Sequence, residues 1–202
     1  MSSHEFPNAL VLQYAHPAAP TVNFPKLFKR LTVLKVLNAF DCPTTRRDSR
    51  ELMQHLPSLT EMGVAIVGVC EQPLGSQGFV DSSQWDCELY LDMYKNVCRA
   101  QLPVGPDQKI ITFRRHRRRS LFQLGGTYLV TPEFNVLYAH EPKDITDIPS
   151  IVSILNLCQI VTSINPTYAS FPADFHPTND RTSLRKSWNT LRKSISKQSL
   201  AI

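Results

Sequence analysis

Cys42-Pro43-Thr44-Thr45 is the segment of this chain whose residue types could carry out covalent chemistry. A β-branched and aliphatic run, Leu31 to Asn38, ends just before it at Ala39-Phe40-Asp41, and Arg46 to Met62 reads as helix. A thiol at a strand-to-helix turn faces unpaired N–H groups and the positive end of the helix dipole, which favour the thiolate, the nucleophilic form. Pro43 suits a first helical position, where a missing N–H costs nothing. Arg46 and Arg47 would add to stabilisation of the thiolate, and Asp41 would oppose it. In the functional reading Cys42 is a low-pKa nucleophile, with Thr44 and Thr45 orienting substrate by hydrogen bonds; in the plainer one it is a buried remnant of such a site.

Cys70 ends a second apolar run, Val64 to Cys70, and could resolve an oxidised Cys42 if the helix start frays; otherwise it is a small core residue. Cys87, Cys98 and Cys158 show neither paired spacing nor nearby histidines and read as structural. Five cysteines, odd in number and irregularly spaced in a chain of 202 residues, read as reduced thiols rather than staples. The six histidines, His4, His16, His55, His116, His140 and His176, are scattered, so no metal site is expected. With neither a P-loop nor a G-x-G-x-x-G, no bound nucleotide cofactor is expected, and a nicotinamide would need to bind without the usual fingerprint or act through a separate NADPH-linked reductase.

The elements that position Cys42 can be read from periodicity. Ala9 to Tyr14 and Thr21 to Phe24 suggest an N-terminal hairpin. Leu31 to Asn38, interrupted only by Thr32 and Lys35, and Val64 to Cys70 have the apolar continuity of strands covered on both faces, and with the helix between them form a right-handed βαβ unit. Within that helix Leu52, Met53, Leu56 and Leu59 share a face, and Pro57 should kink or restart it. Pro73 to Ser82 reads as a short helix, Glu88 to Leu91 as a strand, Asp92 to Gln101 as a helix and Leu102 to Lys109 as loop. Gly125-Gly126 opens a hairpin of Thr127 to Thr131 and Asn135 to His140. Asp147 to Gln159 closes the body as a helix with Ile148, Ile151, Val152 and Leu155 inward, and Ile160 to Asp180 is proline-spotted and irregular. The expected fold class is α/β, a thioredoxin-like three-layer sandwich around a central mixed sheet, with a basic C-terminal tail.

Charge is unevenly distributed. Arg114, Arg115, Arg117, Arg118 and Arg119 form one block, and Arg181, Arg185, Lys186, Arg192, Lys193 and Lys197 lie in the tail, together eleven of the 22 basic residues. The rest carries 17 acidic residues against eleven basic ones, so an acidic body bears two basic appendages. The block, in a loop spanning 109–120, is a solvated run or an anion site; no aromatic residues interleave the arginines, which argues against nucleic acid. In the tail, Ser183 to Asn189 is echoed by Thr190 to Ser196, placing Leu184, Trp188, Leu191 and Ile195 on one stripe of a basic helix over 182–197. Such a helix suits an anionic membrane surface or a partner groove; the alternative is a disordered tail with Ser187 and Ser194 as phosphosites. Residues 1–8 read as a flexible N-terminus, 9–160 as one domain and 161–202 as the tail. The first residues lack a basic flank and an apolar core, and no stretch approaches the roughly 20 apolar residues of a membrane span, so a cytoplasmic location is expected.

Collinear segments carry a family resemblance. Gly63-Val64-Ala65-Ile66-Val67-Gly68-Val69, Leu74-Gly75, Phe79, Glu88-Leu89-Tyr90-Leu91-Asp92 with Tyr94-Lys95, and Gly125-Gly126 before an apolar hairpin resemble the peroxiredoxin-like 2 family of AhpC/TSA-type proteins, which includes the prostamide/prostaglandin F synthases. The resemblance covers roughly Ala9 to Leu157. It implies a thioredoxin-like fold, a cytosolic antioxidant oxidoreductase, and a redox C-x-x-C at this turn. Cys42 matches the first cysteine and Thr45 stands at the second, so a two-thiol cycle within the motif is impossible. Phe40-Asp41-Cys42-Pro43-Thr44 is also similar to the peroxidatic motif of true peroxiredoxins, but Ala39 replaces a threonine and Lys35 a proline.

The expected function is therefore thiol-dependent reduction of a small peroxide or lipid endoperoxide through Cys42, with no bound cofactor. Glutathione, thioredoxin or another thiol reductant, or Cys70, would complete the cycle. The alternative is a non-catalytic thioredoxin-like adaptor that binds an anionic partner or membrane through the basic loop and tail. A Cys42 sulfur open to a cleft favours the enzyme, and one sealed beneath Phe40 and the helix favours the adaptor.

Overall fold

The computed structural model describes residues 11–14, 21–70, 75–92, 101–104, 109–112, 125–144 and 146–169. Strand β1 (Val11–Tyr14) pairs antiparallel with β2 (Thr21–Asn23), the expected N-terminal hairpin. A 3-10 turn, Phe24–Leu27, leads to β3 (Thr32–Leu37), followed by α1 (Pro43–Gln54), α2 (Leu56–Glu61) and β4 (Ala65–Cys70). Pro57 restarts the helix, as a ring that cannot donate must, and His55 lies at the joint rather than within one helix. Strands β3 and β4 are parallel neighbours, with Val33 opposite Ile66 and Leu37 opposite Cys70, so the βαβ expectation holds.

Next come α3 (Ser76–Ser83), β5 (Glu88–Leu91), β6 (Gln101–Val104), β7 (Lys109–Thr112), β8 (Gly126–Val130), β9 (Val136–His140) and α4 (Ile151–Ile164). The strands form one mixed sheet in the order β2-β1-β5-β4-β3-β8-β9-β6-β7. All six residues of β3 and all five of β8 are buried, so both faces at the sheet centre are covered. Leu31, Val33, Leu37 and Phe40 pack with Leu52, Met53 and Leu59 from the helices that follow, and with Ile154 and Cys158 from α4. This places the start of α1 at the carboxyl end of the central strand.

Several readings need correction. Leu102 to Lys109 is not simply a loop: Gln101–Val104 and Lys109–Thr112 are antiparallel strands, with Pro103 opposite Ile110. Pro103 lacks an N–H for a second ladder, but β6 meets β9 only at Val104–Val136, so little is forfeited. The proposed 109–120 loop therefore begins as strand β7, and the helix expected to reach Gln101 gives way to β6 there. The closing helix starts later than Asp147, because Pro149 disfavours helical backbone at Ile148; Ser150 is the N-cap, its hydroxyl accepting from the Ser153 N–H at 3.3 Å. Ile151 faces inward as expected and Leu155 packs partly buried against the core, joined by Ile154 and Cys158, whereas Val152 is 64% exposed. The helix runs on to Ile164, and Pro166–Ala169 is a 3-10 turn, so the irregular stretch does not begin at Ile160. Residues 1–8, Cys98, the Arg114 to Arg119 block and the repeated tail 182–197 lie outside the described residues.

Candidate active site

Cys42 occupies the N-cap of α1, with extended backbone angles (φ −66°, ψ 120°) and Pro43 behind it in the first turn. The turn is closed by the Cys42 N–H donating to the Ala39 carbonyl at 3.3 Å and by the Arg46 N–H donating to the Cys42 carbonyl at 3.0 Å. Phe40 is fully buried, its ring 5.2 Å from that of Phe79. It anchors the turn to α3 and is not among the residues that line the cleft at Cys42. Cys42 itself is half-buried and lines a cleft with about 40 Å³ of water-accessible space.

Burial pushes the Cys42 thiol up, but the N–H and hydroxyl of Thr45 and the N–H of Thr44 outweigh it, while Asp41 opposes them; the net result lies below the ordinary value of 9.0. The neutral thiol makes no regular capping bond to the helix, so these donors act mainly on the charged sulfur. Thr45 is buried and Thr44 half-buried, so the two threonines named from sequence stand around the sulfur. The two arginines are placed otherwise. Arg46 Nε donates to the Phe40 carbonyl at 2.8 Å, holding the turn, and Arg47 is exposed.

Cys70 is 1% exposed at the end of β4, and its carbonyl accepts from the Asp92 N–H at 2.8 Å. It does not line the Cys42 cleft. Burial pushes the Cys158 thiol up to about 12 and, with help from Asp86 and Glu88, pushes Cys87 higher still. Both are poor thiolates at neutral pH, consistent with structural roles.

Two residues not singled out as site residues complete the cleft. Lys35 and Asp48 both line it beside Cys42, Thr44 and Thr45. Lys35 shares a face of β3 with Val33 and Leu37, the face packed by α1, and its ammonium is paired with Asp48 Oδ2 and donates to Thr127 Oγ1 at 2.8 Å. The signal was a single lysine in an apolar strand, which demands an internal partner, and polar Thr45, Asp48 and Ser49 on the stripe of α1 that continues to Leu52. The opposite wall is the segment after β9, with Pro142, Asp144, Asp147 and Ile148. It ties itself in place: Asp144 accepts from the Thr146 N–H at 2.8 Å, and Asp147 from the Lys143 N–H at 2.9 Å. Gly125, at φ +75°, lets β8 approach β3 beside the cleft; a Cβ there would stand 2.5 Å from the Val36 carbonyl oxygen. Among the described residues no group of three or more His, Cys, Asp or Glu could hold a metal ion, and no helix is long and apolar enough to cross a membrane.

A half-exposed cysteine at a helix N-cap, at the carboxyl end of the central parallel strand of a mixed sheet, invites comparison with known thiol proteins. No family model matches the sequence, and no curated protein does. Solved structures do. The chain is similar to the bacterioferritin comigratory protein of Xanthomonas campestris, whose structures address alkyl peroxide reduction, at 16% identity over 80% of this chain and 99% of that one, with a TM-score of 0.57. The chain has the fold of the peroxiredoxins. It is also similar to peroxiredoxin 6 of Arenicola marina (11% identity, 86% of this chain and 79% of that one, TM-score 0.57) and to BcpB of Mycobacterium tuberculosis (13% identity, 75% and 92%, TM-score 0.53). At these identities the likeness is one of fold, and this peroxiredoxin fold is the thioredoxin-like α/β class expected from the sequence.

Proposed function

We propose that this chain is a peroxiredoxin-like thiol peroxidase in which Cys42 reduces a peroxide. The observation that carries the reading is the position of the Cys42 sulfur: at a helix N-cap, open to a cleft, with Thr44 and Thr45 favouring its thiolate. The thiolate attacks one peroxide oxygen; the S–O bond forms as the O–O bond breaks, the sulfur is oxidised to a sulfenic acid and the peroxide is reduced to an alcohol or water. An external thiol then displaces water to form a mixed disulfide, and a second thiol releases the cysteine as a thiol. Among the described cysteines, the burial of Cys70 and Cys158 and the raised pKa of Cys87 support an external reductant, glutathione or thioredoxin, over an internal one. Membership of the peroxiredoxin-like 2 group, with a lipid endoperoxide as substrate, is a finer proposal that rests on the sequence resemblance. An endoperoxide has no O–H, so attack would leave a sulfenate ester on Cys42 and an alkoxide that takes a proton from solvent, and the external thiol would then displace an alcohol to form the mixed disulfide. The adaptor alternative expects a sealed sulfur, and Cys42 is half-buried in an open cleft.

The test is sulfenic-acid trapping. Full-length protein treated with equimolar hydrogen peroxide or cumene hydroperoxide in the presence of dimedone should carry the label on Cys42, and Cys42→Ser should not. A wild-type Cys42 that iodoacetamide alkylates readily but neither peroxide oxidises would overturn the peroxidase reading.

A further inference from the structure

The Lys35–Asp48 pair is a costly arrangement that stability alone does not explain. Both side chains are at least nine-tenths buried, and a buried ion pair is often no more stabilising than apolar residues of the same volume. The pair is also incompletely satisfied. Asp48 Oδ2 meets the Lys35 ammonium, but Asp48 Oδ1 is buried without a hydrogen-bond partner among the described residues. Lys35 has three N–H donors, and among the described residues they serve Asp48 and Thr127 alone. One acceptor and one donor are thus left over on two residues that line the cleft holding Cys42, the acceptor closed to bulk solvent. The space there, about 40 Å³, is that of two or three water-sized molecules. Ala39, at the mouth of the same turn, offers no hydroxyl.

We propose that Asp48, held in place by Lys35, seats the peroxide against Cys42. This deepens the peroxidase reading and rests on it. The O–H of the peroxide donates to Asp48 Oδ1, and the free N–H of Lys35 donates to the other peroxide oxygen. When the Cys42 thiolate attacks the hydroxyl-bearing oxygen, that O–H becomes the sulfenic acid hydroxyl and the O–O electron pair leaves with the second oxygen. That oxygen takes a proton from the Lys35 ammonium and departs as alcohol or water, and Lys35 is reprotonated from solvent. Burial pulls the Lys35 pKa down, and the charge and hydrogen bond of Asp48, with a smaller contribution from Glu51, oppose that pull. Thr127 fixes the ammonium from the β8 side.

Two second-order rates on the full chain separate this role from a structural one: alkylation of Cys42 by iodoacetamide, which reads thiolate and access, and dimedone-trapped oxidation by hydrogen peroxide, which also reads how the peroxide is held. In Asp48→Asn the cleft loses its charged acceptor; alkylation should stay within threefold of wild type while oxidation falls tenfold to a hundredfold. The double variant Lys35→Met/Asp48→Leu leaves no unpaired charge, folds where Asp48→Asn does not, and should show the same split. Oxidation within threefold of wild type in a folded variant overturns the proposal, and so does a parallel fall of both rates. A wild-type Cys42 that is alkylated but never oxidised instead overturns the peroxidase reading beneath it.

Discussion

Thr45 stabilises the thiolate of Cys42 with both its backbone N–H and its hydroxyl. The residue standing where a second motif thiol would be is thus a donor to the first, and the departure from C-x-x-C changes how the sulfur is used without leaving it unsupported. The N–H contribution belongs to any residue at a helix start, and the hydroxyl contribution belongs to threonine.

Replacing Thr45 with valine keeps the shape and removes the hydroxyl. A hydrogen bond worth about 1 kcal/mol makes about a fivefold difference in population, so iodoacetamide alkylation of Cys42 at pH 7 should slow about fivefold in Thr45→Val, with the circular dichroism spectrum unchanged. An unaltered rate would assign the whole effect to the helix N–H groups.

The depressed Cys42 pKa also links stability to pH. A thiol that ionises more readily folded than unfolded stabilises the fold only as the thiolate; its contribution is complete above the ordinary value of 9.0 and is lost as pH falls through the folded value. Urea unfolding of wild type and Cys42→Ser should therefore differ by an amount that grows with pH up to about 9, and a constant difference would contradict the assignment.

Gly125→Ala should be destabilising for two reasons at one position. The backbone there is left-handed and the new methyl would meet the Val36 carbonyl oxygen at 2.5 Å, forcing β8 away from β3. A loss of about 1–3 kcal/mol in chemical denaturation is expected, with slower oxidation of Cys42 because the cleft wall moves too.

After peroxide treatment in the presence of glutathione, peptide mapping should find Cys42 glutathionylated and no Cys42–Cys70 peptide. Cys70 is 1% exposed and its backbone is bound to Asp92, so reaching Cys42 would need β4 and the start of α1 to open together. Recovery of the linked peptide as the main product would restore the internal route.

Much of this site is legible in local sequence. A cysteine after an apolar strand and before Pro43 must lie at a helix start, because the strand ends, the proline suits only the first turn, and the next residues repeat at helical spacing. The parallel pairing of β3 and β4 follows from two largely apolar runs joined by a helix. These inferences need only neighbours in the chain. Position-specific details of α4 are missed for the same local reason: Pro149 delays its start to Ile151, and Val152, expected inward, is exposed.

What the tertiary structure alone decided is which distant groups meet. Lys35 and Asp48 are thirteen residues apart and Lys35 and Thr127 ninety-two, and in sequence each looks like an ordinary interruption of its element. Strands β6 and β7 were hidden because Pro103 signals a loop until its lighter partnering with β9 is known. Local propensity placed the nucleophile, since helix N–H groups act on the residue that begins the helix. The polar floor beneath it arises from packing α1 onto β3, because burying a lysine compels whatever lies above it to supply a charge, and no periodicity records that contact.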